Sequence, residues 1–285
     1  MKPTTRIALL LLLASLSGLI FYREAILQVA DVVIHREGSS HGVFVPFISL
    51  YFLWLNLERL KAIAFRTDLP GATLMVAGLI PPILGIGTYQ IQFIGFILLL
   101  AGLVWTILGR DMFKQMAFPL FFLITMVPIP MDVYTWIANV SRTIAFAASL
   151  KILSLLEVPY FRDGWRIQLH NSTLVVATGC SGIRYLLSYF VFSLAYAYMT
   201  RDTFKKGLLV VAMVLPLSIC ASTMRLTAIF VMVHYISPFW GQPRPHIIIS
   251  WITFGVFLFG AIALDQWLLK RREAKTKIIR QDLQD

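Results

Sequence analysis

Apolar stretches close to the length of a bilayer crossing recur along this chain, at about residues 7–22, 43–57, 70–87, 90–108, 113–130, 182–199, 207–235 and 247–269. A helix rises about 1.5 Å per residue, so roughly 20 apolar residues cross the hydrocarbon, and a helix satisfies its own backbone hydrogen bonds while doing so. The series predicts an all-α polytopic membrane protein with about eight transmembrane helices. The second and fifth stretches are short for a full crossing. With 58% hydrophobic and only 14% charged residues among 285, the chain carries more apolar surface than a soluble domain of that length buries.

Basic residues orient the spans, because Lys and Arg flanking short loops resist translocation. Segments holding Lys2 and Arg6, Arg59 to Arg66, Arg110 and Lys114, Arg201 to Lys206, and the tail from Lys270 to Arg280 contain 16 of the 25 basic residues. Assigning them to one side predicts both termini in the cytoplasm, one membrane domain over residues 1–269 and a basic cytoplasmic tail over 270–285. The amino-terminal stretch also has the look of a signal peptide, with small residues Ala14 to Ser17 for cleavage; an uncleaved first span is the preferred reading. The net charge of +11 lacks the clustering on a solvated domain that nucleic acid would need, so phospholipid is the expected acidic partner and nucleic acid is not expected.

Residues 131–156 are apolar enough to span, yet a crossing there would invert everything downstream. Asp132, Thr135, Asn139, Arg142 and Ser149 fall within about 100° on a helical wheel, which predicts a helix lying in the interface, with Lys151 off the stripe. The polar segment 157–179 follows. Its strand-like alternation at 165–170 and again at 174–176 predicts a small outer hairpin, with Asn171 and Ser172 near the turn.

The residues equipped for chemistry lie on the outer side of this topology. Cys180 stands in Thr178-Gly-Cys-Ser-Gly-Ile-Arg184, where the outer loop enters the sixth span. A helix amino terminus and a nearby guanidinium both stabilise a thiolate, and Arg184 is one turn along on the same face. The same spacing also suits a small buried cysteine beside a snorkelling arginine. Arg225 sits inside the apolar run 207–235, where a charge costs a few kcal/mol (about 2.5–3.5) even on the lenient insertion scale. That expense marks a functional site or a structural pair. His246 opens the eighth span, with His234 as its rival; each fits a proton-transfer base or a polar cap at a helix end. Thiol, buried arginine and histidine from three spans fit acyl transfer: cysteine attacks, arginine holds the oxyanion, histidine moves protons. Cys220 lies within an apolar run, so no disulfide framework is expected, and no metal-ligand or cofactor-binding spacing is present.

The run from Val127-Pro-Ile-Pro130 to Cys180-Ser-Gly-Ile-Arg184, then Met224-Arg-Leu226, then His246 with Trp251 and Phe254, resembles the exosortase and archaeosortase family over roughly residues 115–260. This chain has Thr178 and Gly179 where many relatives carry an acidic residue and an alanine. The resemblance implies a bundle of about eight membrane helices and a catalytic set falling on Cys180, Arg225 and His246. Arg184, Ser181, Gly182 and His234 stand beside that set as candidate supporting or substrate-binding positions. It also implies a membrane cysteine peptidase and transpeptidase. Its substrates would be exported proteins that end in a short motif, commonly Pro-Glu-Pro, then a hydrophobic helix, then a basic cluster. Cleavage through a thioester would pass the new carboxyl end to an acceptor at the periplasmic face of the inner membrane, often alongside exopolysaccharide production. From other classes, a polytopic transporter and an inert component of an exopolysaccharide export system stand as alternatives.

Overall fold

A computed structural model describes residues 14–36, 39–170, 172–177 and 182–282; the side chains of Pro243 and of residues beyond Arg271 are outside that description. The chain divides into two compact units, Met1–Pro130 and Met131–Asp285.

In the first unit a helical run over 14–21 passes a turn at Tyr22 into α1, Arg23–His35. The predicted span stopped at residue 22 because Arg23 and Glu24 interrupt the hydropathy. The helix continues because Ala25, Val29 and Val33 recur every four residues and bury one face. A 3-10 turn at Ser40–Val43 leads to α2, Val45–Leu55, and the short α3, Leu57–Ala62. The pair α4, Gly71–Ile83, and α5, Tyr89–Leu108, forms the tightest helix contact. A Cβ on Gly78 would stand 2.6 Å from the Gly95 carbonyl oxygen, and one on Gly102 would stand 2.5 Å from the Met75 nitrogen. Only glycine permits this approach, which supplies packing where lipid offers no hydrophobic drive between helices. Tyr22 donates to the Gly78 carbonyl at 2.6 Å, tying the first helix to this pair. α6, Arg110–Phe122, ends in a 3-10 turn at Leu123–Met126.

The second unit opens with α7, Met131–Leu155, a continuous 25-residue helix. Its polar stripe is turned in part toward protein. Ser149 is fully buried, Arg142 lies 3.8 Å over the Trp165 ring, and the Arg142 guanidinium donates to Asn139 at 2.9 Å and to the Val176 carbonyl at 3.4 Å. Trp136, Val140 and Ile144 face outward instead. The wheel located the stripe, but it carried no information about the sheet that folds back against it.

That sheet has three antiparallel strands in the order β1-β2-β3: Phe161–Asp163, Arg166–Leu169 and Ser172–Val175. Leu169 pairs with Ser172 across the β2–β3 turn, and Asn171 lies outside the described residues. β1 was absent from the hairpin expected at 165–176. Ile167 and Leu169 join Phe146, Leu153, Leu226, Phe230 and Val233 in one core, fixing the sheet against α7 and the long helix that follows.

Four more helices follow among the described residues: α8, Ile183–Thr200; α9, Phe204–Ala212, running on through Met213 into α10, Val214–Tyr235; and α11, Pro243–Asp282. α11 carries the predicted span onward through residues assigned to the tail. Arg201 and Tyr196 both bond Asp265, the tyrosine at 2.8 Å, joining α8 to α11.

Among the described residues, three helical stretches are long and apolar enough to cross a membrane: Tyr89–Leu108, Phe204–Tyr235 and Arg244–Arg271. A fourth candidate joins Arg110–Met126 with Met131–Leu155. The chain is thus a multi-pass membrane protein; the first part of the expected span at 7–22 lies outside the described residues. α2 and α4, at 11 and 13 residues, rise only about 16–20 Å against about 30 Å of hydrocarbon.

Candidate active site

Cys180 and Ser181 lie outside the described residues, so the site is built from the positions that follow them. Gly182 caps the start of α8 in the left-handed region, with φ 76°. A Cβ there would fall 1.7 Å from Ser222 Oγ and 2.7 Å from Ser222 Cβ. Conformation and space both require glycine, and the reason is that the mouth of α8 rests on α10 at Ser222. Ser222 turns its hydroxyl back to the Ser218 carbonyl at 2.7 Å.

Arg225 is one helical turn beyond Ser222. It is 2% exposed and is the largest fully buried side chain. Its guanidinium lies 5.0 Å from the Tyr185 ring centre and donates a long hydrogen bond, 3.5 Å, to Ser250 on α11. A cation over an aromatic face gains about 0.5–2 kcal/mol, more as water is excluded. Ser222, Thr223 and Thr227, also buried, surround Arg225 on α10, so this stretch of an otherwise apolar helix is polar and turned inward. Such a stretch within a membrane helix is costly, and it is the usual mark of a functional centre.

α11 is fastened to α8 by two matching rungs. Tyr185 donates to the Ser250 carbonyl at 2.9 Å and Tyr189 to the Phe254 carbonyl at 3.1 Å. The Tyr189 and Phe254 rings stack 4.9 Å apart at 5°. The partners are four apart on each helix, so one face of α8 meets one face of α11. His246 is one turn before Ser250, half-buried, and its carbonyl accepts the Ser250 hydroxyl at 2.7 Å. The Arg225 and Arg184 guanidiniums both act electrostatically on the His246 ring.

The structure therefore brings Arg225, His246 and Gly182 to the junction of α8, α10 and α11, with Arg184 in the first turn of α8. His234 is set apart from this group. It lies nine residues along α10 from Arg225, about 13 Å of helical rise, with its ring edge-on to Tyr235 at 4.6 Å. Cys220 is an exposed free thiol on α10. Among the described residues no three His, Cys, Asp or Glu side chains gather as a metal ion would need.

Tyr185, Ser222 and Ser250 were not expected from sequence. The four-residue steps from Tyr185 to Tyr189 and from Ser250 to Phe254 were available as a signal, but each step acquires meaning only when the two helices are paired.

None of the curated proteins and none of the solved structures compared matches this chain. The transmembrane exosortase family matches residues 31–263, starting well before the motifs at 127–130 and running across both compact units. With most of its length matched and its membrane helices in place, the chain belongs to the transmembrane exosortase family.

Proposed function

We propose that this protein is a membrane cysteine peptidase and transpeptidase that cuts carboxy-terminal sorting signals from exported proteins at the periplasmic face of the inner membrane. The observation that carries the reading is the seating of Gly182 on Ser222, one turn from buried Arg225, with His246 held at the same junction through Ser250. Consecutive Cα atoms are about 3.8 Å apart, so the Cα of Cys180 stays within about 7.6 Å of that of Gly182 whatever the path between them. That leash keeps Cys180 near the entry of α8, which supports its working with Arg225 and His246.

In this mechanism His246 takes the proton of the Cys180 thiol, the thiolate attacks the carbonyl carbon of the scissile peptide, and the C=O π electrons move onto oxygen. Arg225 holds that oxyanion in a site shielded from water, where a preorganised charge is strongest. As the oxyanion collapses, the C–N bond breaks, His246 protonates the departing amine, and a thioester to Cys180 remains. An acceptor nucleophile gives its proton to His246 and attacks the thioester, releasing the thiolate and joining the exported protein to the acceptor. Arg184, next to the tethered thiol, favours its anionic form. Ser181 and Gly182 shape the entry to α8. The excess of basic residues in the inward segments supports cytoplasmic termini, with the site at the opposite face.

The test is processing of a co-expressed reporter ending in Pro-Glu-Pro, a hydrophobic helix and a basic cluster. Cys180→Ala should abolish cleavage while Cys220→Ala leaves it intact, both variants inserting at wild-type level. Continued cleavage by Cys180→Ala would overturn the thiol mechanism.

A further inference from the structure

The sheet before the thiol ends on an open edge. Among the described residues β3 pairs on one side only, with β2. Val176 donates to the Trp165 carbonyl at 2.9 Å, and the register below it pairs Val175 with Arg166, Leu174 with Ile167 and Thr173 with Gln168. In an antiparallel ladder hydrogen-bonded pairs alternate with non-bonded ones. Leu174 therefore bonds inward to β2, and the N–H and C=O groups of Thr173 and Val175 point to the outer side.

Side chains add to this. Leu174 packs into the core, whereas Thr173 is exposed and Val175 is 62% exposed. Natural edges are commonly guarded by charge, proline or a covering element. Ser172, Thr173, Leu174 and Val175 contain neither charge nor proline. β1, at the opposite edge, carries Arg162 and Asp163. The far end of β3 is clamped, since the Val176 carbonyl accepts Arg142, so the strand is a fixed template.

We propose that the outer edge of β3 docks the exported polypeptide, which adds to the sheet as an extended fourth strand just upstream of the bond that Cys180 attacks. This rests on the thiol reading given above. Cys180 follows Val175 by five residues, about 17 Å at most of extended chain, so a segment added along Thr173 and Val175 in the direction of β3 carries its next residues toward the thiol. Paired outward backbone groups at alternate residues accept an extended backbone of almost any sequence. Affinity then comes from main-chain bonds, and cleavage is confined to segments that are unfolded at the membrane surface.

Disulfide trapping tests this in the full-length protein in membranes. The chain has two cysteines, so Cys180→Ala with Cys220→Ala clears the background, and Val175→Cys places one probe on the edge. A single cysteine is walked through consecutive reporter positions upstream of the Pro-Glu-Pro signal. Strand addition predicts strong cross-links at alternate positions around one maximum, and moving the probe to Thr173→Cys moves that maximum by two residues. Cross-linking without this alternation, none at all, or an alternating pattern at Arg162→Cys in place of Val175→Cys overturns the proposal. Because the readout does not involve cleavage, its failure is separate from a failure of the thiol mechanism, which the Cys180→Ala reporter test detects.

Discussion

Gly182→Ala offers the sharpest probe of the site, because the obstruction can be located and then removed. The added methyl would stand 1.7 Å from Ser222 Oγ and 2.7 Å from Ser222 Cβ, with the next atom, the Ser218 carbonyl oxygen, at 3.8 Å. The Ser222 hydroxyl can rotate away but its Cβ cannot, so restoring an ordinary contact of about 3.4 Å requires the start of α8 to withdraw from α10 by about 0.7 Å. A misplacement of about 1 Å costs on the order of 100-fold in catalysis, so reporter cleavage should fall by an amount approaching that figure, with the strain of alanine in the left-handed region added to it. Ser222→Gly removes both obstructing atoms. The double variant keeps the left-handed strain of alanine at φ 76°, about 1–2 kcal/mol, and a helical glycine costing about 1 kcal/mol. If those costs, about 2–3 kcal/mol together, fall in full on the active state, Gly182→Ala/Ser222→Gly should cleave about 30- to 150-fold below wild type, and still faster than Gly182→Ala, which carries the same alanine strain with the obstruction in place. Ser222→Gly alone should cleave within a few-fold. Initial rates of reporter processing in membranes, normalised to inserted enzyme, measure all three. Wild-type cleavage by Gly182→Ala, or no rescue in a double variant inserted normally, would refute the claim that this contact sets the thiol against Arg225.

Arg225→Leu should lower kcat/KM by about 100- to 1,000-fold, the usual cost of losing an oxyanion donor, with normal membrane levels; near-normal cleavage would make the arginine structural. His246→Ala should abolish transfer and His234→Ala should leave most of it, and the reverse order would move the base along α10. Tyr185→Phe keeps the ring beneath Arg225 and loses the bond to Ser250. It should cost about 1 kcal/mol of stability and little activity in a detergent melt paired with the reporter assay, whereas Tyr185→Ala should impair both. Gly78→Val places a Cβ 2.6 Å from the Gly95 carbonyl and should destabilise the protein by about 1–3 kcal/mol, seen as a lower melting temperature. Gly260→Ala, in open space, should leave the melting temperature unchanged or slightly raised.

Hydropathy made the long helices legible. Tyr89–Leu108 and Phe204–Tyr235 coincide closely with expected spans because their apolar runs are unbroken, and Arg225 and His246 stood out because a polar residue in such a run is conspicuous. The same measure lost α1, where one buried face alternates with Glu24, Gln28 and Asp31. β1 is three residues long, too short to show a period, and exists through its pairing with β2. Ser250 and Tyr185 are common residue types whose importance comes from a partner 65 residues away. The wheel grouped Asn139, Arg142 and Ser149 on one side of α7, but the partners met there, Trp165 and the strand end at Val176, are ones no wheel displays.

The rungs from Tyr185 and Tyr189 to Ser250 and Phe254 also bear on when the enzyme becomes competent during its own synthesis. Arg225 leaves the ribosome 25 residues ahead of Ser250, and His246 arrives with the helix that supplies Ser250. In the proposed mechanism a partly made chain holds a thiol without its proton carrier. Cleavage is therefore withheld until α11 has been delivered and has docked on α8, so that biosynthesis itself acts as the safety catch on a nucleophile facing newly exported proteins.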